Sequence, residues 1–262
     1  MGRSIRTAGL SGLSGLLFAL GVSGAAQAGA WPQAKGTTQV ILKLEDEQGG
    51  DAFDPGRNRV SIPRLRDDYL TLFVEHGLTD RLTLQAKAAY TDGRDQFVSY
   101  SGRGPIEAGL RYTFVQRAQT VVSVYAGGVA PGVGRNAEYA PANQGNGDGE
   151  LRLLVGHAGR LIGREAFVDV EAAHLFRSGT LADETRLDVT TGVYASPKWL
   201  ILLQSYAGRT EGSAVRSDWL KLEGGVVRRF GRWSAQAGWR GVVAGRNTPI
   251  TSGPVLGIWR SF

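Results

Sequence analysis

The side chains able to do chemistry in this sequence are few. Its three histidines are His76, His157 and His174, and it has no cysteine. A lipid-cleaving hydrolase at a membrane surface needs a histidine beside a serine, with a polar group to orient the ring. His174, with Ser178 four residues on, is placed for such work; His76 and His157 fall toward the opposite strand ends. No His-x-Ser arrangement occurs, and the alternative for all three is an interfacial or bore-lining polar residue. The stretch "NQGNGDGE" (143 to 150) has the Asn, Asp and Gly of a calcium loop. It lacks the spacing and the closing bidentate acid of an EF-hand, so it reads as a surface loop. No phosphate loop, dinucleotide fingerprint or Cys/His metal spacing is present, and neither cofactor nor metal is expected.

What remains is fixed charge at regular spacing. Lys43, Glu45, Arg81, Lys87, Glu107, Arg111, Glu150, Arg152, Asp169, Glu171, Arg186, Asp188, Lys221, Glu223 and Arg240 alternate with apolar residues. Side chains two apart on a strand share a face, so these positions would line one wall of a sheet. Both signs occur in similar number. A closed sheet with such a lining could pass small polar solutes, or lock itself in salt bridges across a narrow bore. The plainer alternative is that the charges only fill and stiffen the interior.

The elements that must position them are strands. In "QVILKLE", Val40, Leu42 and Leu44 oppose Lys43 and Glu45; in "RLTLQAKAAY", Leu82, Leu84 and Ala86 oppose Arg81, Thr83 and Lys87. This period of two recurs to the end of the chain, and helical periodicity is scarce after residue 28. Twelve segments are expected, centred near 41, 71, 86, 109, 124, 154, 170, 189, 203, 223, 238 and 257. Those near 71 and 203 are apolar on both faces, which leaves their register open. Short turns at 77–80, 115–119, 160–165, 196–198 and 230–232 alternate with longer polar stretches at 46–66, 92–103, 131–149, 177–184, 208–217 and 244–250. Tight turns at one end and long loops at the other are the pattern of an outer-membrane barrel.

The spacing therefore predicts an all-β fold: a transmembrane antiparallel up-and-down barrel of about twelve strands over residues 29–262. Aromatics near strand ends fit two interface girdles, with Phe114, Trp199, Phe230, Trp233 and Phe262 periplasmic and Tyr69, Tyr90, Phe176, Tyr206 and Trp219 outside. Closure is forced by lipid, where an open edge would leave backbone groups unpaired. The N-terminus reads as a cleaved secretory leader over 1–28: Arg3 and Arg6, the apolar "LSGLLFALGV", then Ala26-Gln27-Ala28. The net charge of +6 falls to +4 without those two arginines. Acids and bases are interspersed, so no nucleic-acid-binding tract is expected.

At "EHGLTDRLTL" (75 to 84), "GPIEAGLRYTF" (104 to 114) and "ETRLDVTTGVYASPKWLILLQS" (184 to 205) the chain resembles proteobacterial outer-membrane barrels. In particular it resembles those grouped as putative MetA-pathway of phenol degradation proteins, some of them transporters. The barrel reading expects outer-membrane lipid as surroundings and a monomer, and the resemblance implies a C-terminal Phe262 read by the barrel assembly machinery. Ile258 and Leu256 fit that terminal signal; Arg260 stands where an aromatic is usual, with Trp259 the residue that could compensate. Three functions follow: a passive channel for an unidentified small solute, a non-conducting barrel acting through its outer loops, and an outer-leaflet lipid hydrolase using His174.

Overall fold

The computed structural model describes residues 29–134, 147–179, 182–211 and 216–262. The leader and residues 143–146 of the glycine-rich loop lie outside them. Twelve strands follow in order: β1 (Thr38–Phe53), β2 (Arg59–Gly77), β3 (Leu82–Arg94), β4 (Ser99–Gln116), β5 (Thr120–Ala130) and β6 (Asp148–Leu161) form the first half. β7 (Arg164–Phe176), β8 (Glu184–Ser196), β9 (Trp199–Glu211), β10 (Arg216–Phe230), β11 (Trp233–Arg246) and β12 (Thr248–Ser261) form the second. Each pairs antiparallel with its sequence neighbours, and β1 closes on β12 with Leu42 opposite Ile258 and Leu44 opposite Leu256. Closure leaves no sheet edge.

The alternation is why the sheet closes this way round. Leu42, Leu72, Leu110, Leu153, Ile201 and Leu256 stand exposed on the outer wall, while polar residues point into the bore. The two ambiguous segments resolve by packing. Leu70 and Leu72 are exposed on the outside, and in β9 Leu203 is exposed while Leu200 and Leu202 are buried. Those two join Phe167, Val227 and Trp259 in an apolar cluster inside the barrel, so β9 needs apolar residues on both faces. Strand glycines serve the same interior. Rings of Tyr125, Phe167 and Trp219 lie against Gly127, Gly192 and Gly208, where an added Cβ would come within 2.1 Å of a ring or hydroxyl atom.

Four of the long outer loops predicted from the sequence, 46–66, 92–103, 208–217 and 244–250, are mostly strand among the described residues. β1 and β2 stay paired as far as Phe53 opposite Arg59, across a bulge between Gly49 and Asp51, so 46–66 is a hairpin with a turn at 54–58. The stretch 244–250 shrinks to Asn247, at φ 48°, between β11 and β12. Polar residues carry the ladder here because they pair: Arg59 meets Asp51 at 2.6 Å and Arg66 meets Asp46 at 3.0 Å. In the 54–58 turn, the Asn58 backbone N–H donates to Asp54 at 2.8 Å and holds that carboxyl below its usual range. The turns at the other end are short, as predicted, and join strands at 78–81, 117–119, 162–163, 197–198 and 231–232.

Candidate functional site: a bore closed at one end

Two rows of charge line the bore. On β1, β10, β11 and β12, Glu223 accepts from Lys43 at 2.9 Å, from Arg240 at 2.7 Å and from Gln236 at 3.0 Å. Arg240 also reaches Glu45 at 2.8 Å, and Glu47 takes Lys221 at 2.9 Å and Thr251 at 2.6 Å. On β3 to β8, Arg152 pairs with Glu107, with Glu150 at 2.8 Å and with Glu171 at 3.2 Å, while Arg186 pairs with Glu150 and Lys87 with Glu107. Lys43–Glu223 and Lys221–Glu47 join β1 to β10 past the two strands between them, and the other pairs join strands at most two apart. Asp188 sits on β8 beside the second row, facing the same interior.

Arg81 is the exception among the charges expected inside. It lies in the turn before β3 with its side chain exposed, and its carbonyl accepts from the Thr113 N–H. The strand starts one residue later than the alternation alone suggests, which takes Arg81 out of the bore.

Arg111 and Asp169 have a different partner, one that no pattern announced. The segment before β1 enters the bore at the tight-turn end. Arg111 donates to the Gly29 carbonyl, to the Trp31 carbonyl at 2.6 Å and to Glu75 at 2.6 Å; both Arg111 and Glu75 are fully buried. Asp169 accepts the Ala30 N–H at 2.7 Å, Ser123 donates to the Ala30 carbonyl at 2.6 Å, and Thr83 accepts the Gln33 N–H at 3.1 Å. Trp31 meets Phe167 edge-on at 5.9 Å and packs against both interior apolar clusters. The chain leaves through a turn at Ala34–Thr37, where Gly36 has φ 78°, and continues into β1. Backbone polar groups buried inside a barrel need such partners, and here inward side chains of β3, β4, β5 and β7 supply them. Glu75 was hidden by the ambiguous register of β2, and Trp31 stands before any periodic segment.

At the opposite end the bore widens into a vestibule of about 260 Å³, bounded by Glu47, Tyr69, Glu184, Trp219 and Thr251. Three aromatics expected in the outer girdle therefore point inward instead. Tyr69 and Trp219 line this vestibule, and Arg240 lies 4.8 Å over the Tyr206 ring. Tyr90 and Phe176, and all five of the opposite girdle, are exposed on the outer wall. Strand-end position alone does not distinguish the two faces; residue parity does.

The histidines share one arrangement. Each Nδ1 lies 2.9–3.0 Å from the hydroxyl of the threonine directly opposite on the next strand: His76 with Thr38, His157 with Thr120, His174 with Thr185. Ser178 donates to Asp148 at 3.3 Å. At the chain's last strand, the Phe262 N–H donates to the Thr38 carbonyl at 2.9 Å, which ties the final residue to β1. Trp259 points inward and is buried in the apolar cluster, so it does not replace the missing outward aromatic. Arg260 points outward, its guanidinium 4.7 Å over Trp233 and 4.3 Å over Phe262.

No family model matches the chain, and no curated protein matches it in sequence. Solved structures do match in shape. The COG4313 outer membrane channel from Pseudomonas putida F1, 15% identical, covers 91% of this chain and 100% of its own length at a TM-score of 0.69. The translocator domain of the autotransporter NalP from Neisseria meningitidis, 11% identical, covers 87% and 90% at 0.52. The NanC porin, 6% identical, covers 84% and 98% at 0.50. The chain thus has the closed antiparallel barrel fold of outer-membrane proteins, with twelve strands.

Proposed function

We propose that the protein is an outer-membrane channel for small polar solutes, with the tight-turn end periplasmic and the bore closed there by residues 29–33. The observation that carries this reading is the contrast inside the bore. The charged pairs run between strands at most three apart, while the segment at the tight-turn end is held by side-chain hydrogen bonds and one tryptophan. A wall with both signs of charge suits polar solutes better than apolar ones. The likeness in shape to a channel and a porin, and the resemblance to the phenol-degradation group, agree with transport; the solute is unassigned. Purified protein in a planar bilayer should conduct, and charge reversal at Arg240 or Arg186 should change ion selectivity. Absence of both conductance and solute uptake by liposomes carrying the barrel would refute the reading.

A second reading is favoured by one observation, the complete burial of Arg111 and Glu75 beneath the segment. A plug that never leaves would make the barrel a non-conducting surface protein acting through its outer connections. That reading expects no current from the unaltered protein at any voltage.

A further inference from the structure

The outer wall is unevenly charged at its tight-turn end. The stretches 196–204, 224–239 and 253–262 contain no Asp or Glu but hold Lys198, Arg228, Arg229, Arg232 and Arg260. They form one quadrant of the rim, from the β8–β9 turn to the end of β12. Arg229 turns inward to Tyr194. Arg228 and Arg260 point outward from the apolar wall, and each is seated among aromatic rings. Arg228 lies 5.3 Å over Trp199, its partner across the strand pair, and 4.9 Å over Phe230; Arg260 lies over Trp233, its own cross-strand partner, and over Phe262.

A ring under a guanidinium satisfies its face and leaves the in-plane N–H groups free. Neither arginine has a protein acceptor for those groups among the described residues. At this depth of a bilayer the abundant acceptor is the lipid phosphate, which accepts two N–H groups at once from such a fork. Immobilising the guanidinium on the rings in advance reduces the ordering cost of binding.

We propose that Arg228 and Arg260, with Trp199, Phe230, Trp233 and Phe262, form a binding site for an anionic glycerophospholipid of the periplasmic leaflet. The excess of positive charge with no acid in the quadrant selects a net-anionic lipid over a zwitterionic one. This rests on the membrane-spanning part of the proposed function and not on conduction, so a silent channel would leave it standing.

The test is retention of added phosphatidylglycerol or phosphatidylcholine by the full-length barrel in detergent, read by native mass spectrometry. Phosphatidylglycerol should be retained roughly tenfold more strongly, and R228Q/R260Q should lose that preference while keeping the heat-modifiable gel shift of a closed barrel. Equal retention of the two lipids by the unaltered protein would overturn the proposal, as would an undiminished preference in the double variant. If the double variant does not assemble, R228Q and R260Q singly carry the test. Each should weaken phosphatidylglycerol retention severalfold, and no loss in either would overturn the proposal.

Discussion

At the tight-turn end of the bore, Arg111 and Glu75 are fully buried and residues 29–33 lie across them, with Trp31 set into an apolar cluster beside them. At the outer end, Glu47, Glu184, Tyr69 and Trp219 surround an open vestibule, and the strands run on past the apolar wall in exposed Arg–Asp pairs. The same polar residue types do opposite jobs in the two places. Where a chain segment excludes water, charges are committed to fixed partners and removing one is costly; where water enters, the same pairs are exchangeable. The segment is thus confined to one end, and the charged rows lie beyond it.

The largest break in that comparison should come from Arg111→Met, which strands Glu75 without its partner in a dry site. A loss of about 3 to 5 kcal/mol is expected, read as a lower urea midpoint in refolding from lipid vesicles. Trp31→Ala removes the ring against Phe167 and should cost about 3 kcal/mol of the segment's hold, read as faster proteolysis after Gln33 with all strands still protected. Glu223→Gln weakens three contacts in the wall row and should cost about 2 kcal/mol, while shifting ion preference toward anions in a bilayer. Arg59→Ala, in an exposed pair beyond the apolar wall, should leave the urea midpoint unchanged within error. A large effect there with none at Arg111 would invert the comparison.

Much of the barrel was legible because a membrane wall enforces a strict period of two. Leu42, Leu72 and Leu110 must face out, so Lys43, Thr71 and Arg111 must face in, and the strand centres follow. The outer connections were misread because polarity was taken for irregularity. Arg59, Arg66, Asp46 and Asp51 are polar and still pair across a ladder that has simply left the lipid. Three of the five outer-girdle aromatics were misread for a related reason: Tyr69, Tyr206 and Trp219 sit at strand ends, but their parity turns them inward. The closure of the bore was not legible at all. It depends on Gly29 to Gln33, a stretch with no periodicity, meeting Arg111, Ser123 and Asp169 on strands far along the chain.

The most direct test is single-channel conductance of the unaltered protein beside a variant in which residues 30–34 are replaced by Gly and Ser, leaving the leader region and all twelve strands intact. Small or intermittent currents are expected from the first and a severalfold larger, steadier conductance from the second. Equal conductance in the two, with the variant barrel shown to be closed by its gel shift, would contradict the claim that this segment closes the bore.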